Sequence, residues 1–321
     1  VDDDLARGHG ASVLVNTEGG KPGRHCPEGI AGMAGIAHRG ARDGPVGEGM
    51  TKRIHLHAGA HRTGSSSFQM CLYDNRAALG GCGYDLAYPG RDGVPDGRLR
   101  LRLPGPRHGI GRLGRFAGSV RDAVARFSPD PARHLVLSEE NIPGRMFHFY
   151  QGQFFPAAAK RFRAFRAGIG AADLHVVYVL RSYDELYVSA YRKRAEDNAV
   201  DPFASLIPHF LAMDRGWPEL VADMQSELKP AQLTLVSYEN RGKSIDLLTR
   251  LLPDMPREEL VEPQAVLNLS ATDAALKALQ AGYRAGETLT RTQWQEIVRS
   301  HADDRGSRGF AQFDPAARQA L

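Results

Sequence analysis

The sequence predicts an α/β protein, a three-layer sandwich in which a central, mainly parallel sheet lies between two layers of helices. Two observations support this prediction. Short apolar segments typical of strands recur along the chain, and long amphipathic stretches separate them. Strands that alternate with helices form parallel sheets with both faces covered.

Four segments have the composition of buried strands. They lie at residues 53–57, 134–138, 175–180 and 232–237. Each is bounded by polar or turn-forming residues and is too short to form a typical helix. We therefore expect at least four parallel strands in one sheet.

The segments between these strands carry helix and loop signals. Residues 156–166 are rich in Ala and basic residues, with two phenylalanines available for burial, and Ser182 with Glu185 matches a capping box that begins a helix. Residues 91–109 are rich in Gly, Pro and Arg and predict a loop. Residues 271–279 predict a helix in a peripheral C-terminal segment.

The first part of the chain does not have the composition of a folded domain. Residues 1–49 contain no Phe, Trp or Tyr but 12 of the 35 glycines. Such a segment buries too little apolar surface to offset its chain entropy. We expect residues 1–49 to be a disordered extension or the product of a misplaced translation start, with a functional tail as the alternative. Residues 50–321 are then a single α/β domain.

The overall composition limits the class of protein. The chain is 42% hydrophobic and 24% charged, and its net charge is +4. This mild excess suits an anionic small ligand and does not predict a nucleic-acid partner. No apolar run approaches the ~20 residues that cross a bilayer. The three cysteines lack zinc-site spacing, so we expect a cytoplasmic protein with reduced thiols and no metal. The oligomeric state stays open.

The most informative stretch follows the first strand. In the sequence HAGAHRTGSSSFQ, residues 57–69, a glycine-containing turn leads from the strand into a helix. This arrangement directs backbone N–H groups and the positive end of the helix dipole at one spot, which favours an anion. Gly59, Gly64 and Ser66 match the pattern G-x-x-x-x-G-K-[ST] of a P-loop nucleotide-binding fold, but Ser65 replaces its lysine. The nearest cation is Arg62.

This stretch resembles the phosphate loop of sulfotransferases, which use 3′-phosphoadenosine 5′-phosphosulfate (PAPS). Bacterial members of that family typically show a run like H-x-G-x-H-K-T-G-T-T-S-x-Q. Residues 57–69 match it position by position, with Arg62 in place of lysine and Ser65 and Ser66 in place of threonines. The resemblance implies that Thr63, Gly64, Ser65, Ser66 and Ser67 hold the 5′-phosphosulfate. It implies that Arg62 stabilises charge on the oxygen that bridges phosphate and sulfate. The resemblance covers residues 50–252.

A second motif strengthens the resemblance. The family carries an arginine after a later strand and a serine eight residues further on, which bind the 3′-phosphate of PAPS. Here Arg181 ends the strand at residues 175–180, and Ser189 follows at that spacing. An arginine at the carboxyl end of a parallel strand points into the crevice where α/β sheets bind ligands, and its planar fork suits a phosphate. The alternative is a surface ion pair for Arg181 and a packed serine.

Sulfuryl transfer also requires a base for the acceptor, and several groups compete for this role. Glu140, after the strand at residues 134–138, is our first candidate, and Glu139 is the second. The alternative for either carboxylate is the role of ion-pair partner of Arg62 or Arg181. His57 and His61 also lie near the loop, and His108 lies on a loop able to meet the acceptor. His55 lies nearby in the sequence, so these histidines could suggest a metal site. No carboxylate or cysteine accompanies them at metal-ligand spacing, which argues against one.

The predicted function is therefore transfer of the sulfuryl group of PAPS to a hydroxyl or amine of a glycan or small polar acceptor. Two alternatives remain open at the level of the sequence. A small-molecule or nucleotide kinase uses the same fold, although Ser65 at the lysine position counts against it. The second alternative is a non-catalytic nucleotide-binding relative, suggested by Arg62 at the position where the family has lysine.

Overall fold

The computed structural model describes residues 12–15, 52–264, 267, 270–304 and 309–321. The predicted extension, residues 1–49, lies outside the described residues apart from the short strand Ser12–Val15. None of the helices in the described ranges is long and apolar enough to cross a membrane.

The centre of the fold is a parallel sheet, as the sequence predicts. Its strands are β1 (Ser12–Val15), β2 (Arg53–His57), β3 (Tyr84–Ala87), β4 (His134–Ser138), β5 (Asp173–Leu180) and β6 (Gln232–Ser237). Their order is β1-β6-β5-β2-β4-β3, and each neighbouring pair is parallel. Strand β2 therefore lies between β5 and β4, so the chain segments that leave these three strands meet at one edge.

Helices connect the strands and cover the sheet. They are α1 (Ser65–Asp74), α2 (Arg76–Gly81), α3 (Ile110–Phe127), α4 (Ala158–Ile169), α5 (Tyr183–Asp197), α6 (Phe203–Leu211), α7 (Trp217–Asp223), α8 (Ser244–Leu251), α9 (Asp273–Arg284), α10 (Arg291–Ser300) and α11 (Pro315–Gln319). Short 3-10 turns occupy Met146–Gln151 and Arg257–Glu259, and a π-helical turn extends α7 over Met224–Leu228.

Alternation along the strands builds two separate cores. On β5, Val176 and Tyr178 belong to a cluster with Phe162 and Phe165 of α4. The intervening Val177 and Val179 pack on the opposite face with side chains of α1 and α8. Successive strand residues point to opposite faces, and each fully buried large apolar side chain contributes about 1.5–3 kcal/mol. Burial on both faces explains why these strands read as nearly continuous apolar runs.

Several predicted elements need correction at their ends. The helix predicted at residues 156–166 runs from Ala158 to Ile169, and the one predicted at 271–279 runs from Asp273 to Arg284. Ser182 precedes α5 as predicted, but its side chain caps no backbone N–H. Instead Glu185 accepts a hydrogen bond from Arg181 Nε at 3.1 Å. The predicted capping box is therefore wrong, because the arginine takes the carboxylate that would complete it.

Candidate functional site

The loop after β2 is attached to the neighbouring strand β5. Ala60 N–H donates to the Val179 carbonyl at 3.3 Å, and Val179 N–H donates to the Gly59 carbonyl at 2.9 Å. Gly59 has φ +106°, and a Cβ there would lie 3.1 Å from the Cβ of Glu140. Both the backbone conformation and the close approach therefore require glycine at this position.

The loop ends in a left-handed turn that starts helix α1. Arg62 and Gly64 have φ values of +61° and +86°. The first helical hydrogen bond runs from Phe68 N–H to the Gly64 carbonyl at 2.9 Å. The N–H groups of the first turn of a helix have no partner within it, and they favour an anion together with the helix dipole. The loop therefore has the backbone geometry of a site that can bind an anion.

The hydroxyl groups of the loop divide into two kinds. Thr63 Oγ1 and Ser65 Oγ both donate to the Ala60 carbonyl, at 2.7 and 3.1 Å, and so brace the turn. Thr63 is buried and does not line the cavity described below. Ser66 Oγ donates to Asp92 at 2.7 Å, and Ser67 lines the cavity. Thr63 therefore stabilises the shape of the loop and does not face the cavity.

Arg62 connects the two sequence motifs. Its Nε donates to Ser189 Oγ at 2.9 Å, and its Nη2 donates to Ser270 Oγ at 2.9 Å. Arg181 Nη1 in turn donates to the Arg62 carbonyl at 2.7 Å. Burial lowers the pKa of the Arg62 guanidinium, Glu196 opposes that shift and Arg181 adds to it. Two neighbouring cations in a partly desolvated site favour binding of an anion.

Arg181 is held at the end of β5 by several contacts. Its guanidinium lies 4.4 Å from the centre of the Tyr238 ring, and its carbonyl accepts from Trp217 Nε1 at 2.8 Å. Its side chain is only 16% exposed, although its partner Glu185 is 48% exposed. The ion pair that we considered as the alternative is therefore present. It leaves Arg181 in the cavity wall next to Arg62 and Ser189.

The two glutamates after β4 bind an arginine that the sequence did not single out. Arg91 Nη2 contacts both carboxylate oxygens of Glu139 at 2.5 Å, and Arg91 Nη1 contacts Glu140 Oε1 at 2.9 Å. Gln69 Nε2 also donates to Glu140 Oε2 at 3.3 Å. The alternative that either glutamate pairs with Arg62 or Arg181 is therefore wrong, because both pair with Arg91. Glu139 is buried, and Glu140 faces the cavity.

His61 is the histidine that lines the cavity. Its Nε2 lies 2.8 Å from the Gly144 carbonyl. A carbonyl oxygen only accepts hydrogen bonds, so Nε2 carries the proton and Nδ1 is the basic nitrogen. No described residue is bonded to this Nδ1. Burial lowers the pKa of His61, and the charge of Glu140 opposes that shift. A neutral imidazole with an open Nδ1 suits proton transfer.

The other candidate histidines lie elsewhere. His57 is buried, its Nδ1 lies 2.9 Å from Ser138 Oγ, and burial together with Arg241 lowers its pKa to about 3. His108 Nδ1 accepts from Gly105 N–H within its own loop. Among the described residues, no three side chains of the kinds that bind metals lie close enough to hold an ion.

A cavity of about 500 Å³ lies where these groups meet. Its wall includes His61, Arg62, Gly64, Ser65, Ser66, Ser67, Arg91, Asp92, Glu140, Arg181, Ser189 and Lys193. Its size is within the range of small-molecule and cofactor sites. A second cavity of about 470 Å³ shares Arg62, Asp92 and Lys193 and adds Arg291 and Trp294. Of the residues predicted to hold PAPS and the first-choice base, all but Thr63 lie in this wall, whereas the other candidates Glu139, His57 and His108 do not.

Three basic residues near the loop had no clear signal in the sequence. Arg91 begins a loop that looked merely irregular, and Lys193 lies one helical turn beyond Ser189. Arg241 Nη2 lies 3.3 Å from the Gly64 carbonyl. Only Lys193 had a usable signal, because it lies four residues after Ser189 and therefore on the same face of the helix.

No protein-family model matches this chain, and no curated protein matches it. The residues at the carboxyl ends of β2, β4 and β5 are therefore the basis for a functional proposal.

Proposed function

We propose that this chain is a sulfotransferase that moves the sulfuryl group of PAPS to a hydroxyl or amine of a glycan or small polar acceptor. The observation that supports the proposal is the contact between the two motifs. Arg181 donates to the Arg62 carbonyl, and Arg62 donates to Ser189, although 127 positions separate Arg62 from Ser189. Two motifs that each suit one anionic end of PAPS therefore share one cavity.

The proposed donor site uses both ends of this cavity. The start of α1, with Ser65, Ser66 and Ser67, binds the 5′-phosphosulfate through backbone N–H groups and hydroxyls. Arg181 and Ser189 bind the 3′-phosphate. PAPS is the donor substrate, and the site needs no metal ion for this chemistry.

The chain's own residues supply two functions for the transfer step. As the sulfur–oxygen bond breaks, its electron pair stays on the phosphate oxygen, and Arg62 stabilises the charge that develops there. Its guanidinium contacts Ser189 and Ser270, so the proposed role requires a change of its side-chain rotamers. The acceptor atom forms the new bond to sulfur, and its proton passes to a base.

We assign the role of base to His61 ahead of our sequence-based first choice, Glu140. Both carboxylate oxygens of Glu140 already accept hydrogen bonds, from Arg91 and from Gln69. His61 Nδ1 accepts none from a described residue, and its Nε2–H is held by Gly144. Glu140 then orients Arg91 and the neighbouring loop as a positioning residue.

A kinase remains the second candidate because of one contact. Ser66 occupies the position of the hydroxyl that binds Mg²⁺ in P-loop enzymes, and it donates to the carboxylate of Asp92. A hydroxyl beside a carboxylate suits a divalent cation. The missing lysine at Ser65 counts against this function, because the Ser65 hydroxyl bonds to the loop itself.

Calorimetry on the full chain separates the two functions. We expect adenosine 3′,5′-bisphosphate, the product of sulfuryl transfer from PAPS, to bind with micromolar affinity. ATP should bind at least tenfold weaker, with or without Mg²⁺, because it lacks a 3′-phosphate for Arg181. Tight binding of ATP that depends on Mg²⁺, without binding of the bisphosphate, would favour the kinase.

A further inference from the structure

A segment of the loop after β3 alternates arginine with leucine. Residues 98–103 read R-L-R-L-R-L. Leu99 is buried, and Leu101 and Leu103 pack against the larger core cluster. The three arginines between them, Arg98, Arg100 and Arg102, are exposed. We refer to these three as the arginine row.

The ends of this segment are fixed to the body of the protein. Arg98 pairs with Pro89 in an antiparallel bridge, and Leu99 N–H donates to the Tyr88 carbonyl at 3.0 Å. At the far end Arg161 Nε donates to the Pro104 carbonyl. In an extended chain, alternate side chains emerge on the same side about 7 Å apart. The arginine row is therefore a regular line of cations on a fixed support.

The positive charge continues beyond the row. Arg107, Arg112 and Arg115 are also exposed, and Asp122 is the only acidic residue between positions 98 and 126. None of the arginines in this stretch forms an ion pair with a described carboxylate. Exposed cations without ion-pair partners hold mobile counterions, and a polyanion gains free energy by releasing them.

The row begins close to the candidate active site. Pro89, the bridge partner of Arg98, lies two residues before Arg91, which is part of the cavity wall. The antiparallel pairing then carries Arg100 and Arg102 away from Arg91. A linear molecule with one unit in the cavity can therefore extend along the row.

We infer that the arginine row binds a linear polyanion, an acidic polysaccharide that is the sulfuryl acceptor. The identity of the polymer as acceptor rests on the proposed function. The residues from 98 to 115 include no Phe, Trp or Tyr on which nucleic-acid bases could stack. This absence favours a polysaccharide over a single-stranded nucleic acid.

The test measures binding of a fluorescein-labelled heparin octasaccharide to the full chain. Fluorescence anisotropy reports the binding at a series of salt concentrations. The test variant replaces Arg98, Arg100 and Arg102 with Gln. The matched control replaces three exposed cations elsewhere, Lys229, Arg284 and Arg299, with Gln and so removes the same charge.

We expect the row variant to bind the octasaccharide at least tenfold weaker than the wild type, and the control to stay within about threefold. The slope of log Kd against log salt concentration should fall by about 2 to 3 in the row variant, because fewer counterions are released. Equal losses in the two variants, or no loss in the row variant, would overturn the inference. Tighter binding of single-stranded DNA of matched charge, lost in the same variant, would overturn the choice of a polysaccharide.

Binding of adenosine 3′,5′-bisphosphate to the same proteins separates this inference from the proposed function. If the row binds the octasaccharide but no form of the chain binds the bisphosphate, the binding surface stands and the proposed function fails. If the bisphosphate binds normally and the row variant binds the octasaccharide like the wild type, the row inference fails alone.

Discussion

At the scale of single residues, the assignment of the base is the part of the proposal that mutation tests most directly. His61 and Glu140 both face the cavity, but their hydrogen bonds differ. The Glu140 carboxylate is engaged by Arg91 and Gln69, whereas His61 has a protonated Nε2 and a basic Nδ1. The hydrogen bonds therefore favour His61 over Glu140, which was the first candidate from the sequence.

We predict that His61→Gln lowers kcat for sulfuryl transfer about 100-fold or more, within the usual contribution of a general base. The glutamine amide nitrogen lies as far along the side chain as His61 Nε2, so it can still donate to the Gly144 carbonyl and the loss reports the missing base. Glu140→Gln should lower kcat less. Because burial lowers the pKa of His61, wild-type activity should persist below the usual histidine pKa of about 6.5. Initial rates over a pH series measure both effects.

The opposite ranking of the two variants would return the role of base to Glu140. If the fall in wild-type activity at low pH is unchanged in His61→Gln, another group controls it.

Site residues that were predicted from the sequence lie near their motif partners along the chain, whereas the missed residue contacts a partner far away in the sequence. Arg62 with Ser65–Ser67 and Arg181 with Ser189 each lie within one local strand–turn–helix segment, where spacing carries information. Arg91 contacts Glu139 across 48 positions, and no local pattern reports such a contact. Local motifs were therefore visible, and the ion-pair network behind them was not.

At the scale of elements, strand β2 carries two histidines into the sheet interior. His55 and His57 are each 1% exposed. Burial lowers the pKa of His55 to about 3, with His175 adding to the shift, and His57 is lowered similarly. In the unfolded chain each has the ordinary pKa of about 6.5. Between these values the unfolded chain binds more protons, so stability falls as the pH falls below about 6.5.

Replacing His55 with Asn should reduce this acid sensitivity. Each buried histidine contributes about 1.4 kcal/mol of lost stability per pH unit below pH ~6.5, and nothing above it. The pH slope of the free energy of unfolding should therefore be smaller by about that amount in His55→Asn. Urea unfolding between about pH 5 and pH 7.5 measures the slope.

His209→Asn is the matched control, because His209 is exposed. An unchanged slope in His55→Asn, or an equal change in the control, would show that burial of His55 does not cause the acid sensitivity.

Element prediction succeeded where apolar residues were continuous and failed where they were sparse. The bounds of β2, β4 and β6 agree with the predicted strands. Strand β3 is an edge strand of four residues whose two central residues are only partly buried. Helix α3 contains Gly111, Gly114 and Gly118, which weaken helix propensity, but packing of its apolar face stabilises it.

At the scale of the whole molecule, topology assembles the site. Strand β2 lies between β5 and β4, so the loop with Arg62, the strand end with Arg181 and the segment with Glu140 become neighbours. The sequence predicted the parallel sheet but not the strand order. The order was not predictable from periodicity, because each strand is apolar on both faces and could pair with any other.

The central claim is that these neighbours form one site that distinguishes a 3′-phosphate. The most direct test is calorimetry with adenosine 3′,5′-bisphosphate and adenosine 5′-monophosphate, which differ in that phosphate alone. The proteins compared are the wild type, Arg181→Ala and the exposed control Arg284→Ala.

We predict that the wild type and the control prefer the bisphosphate at least tenfold, which corresponds to about 1.4 kcal/mol or more. Arg181→Ala should lose this preference while its affinity for the monophosphate stays within a few fold. Equal wild-type affinities for the two nucleotides, or a preference that survives in Arg181→Ala, would contradict the claim.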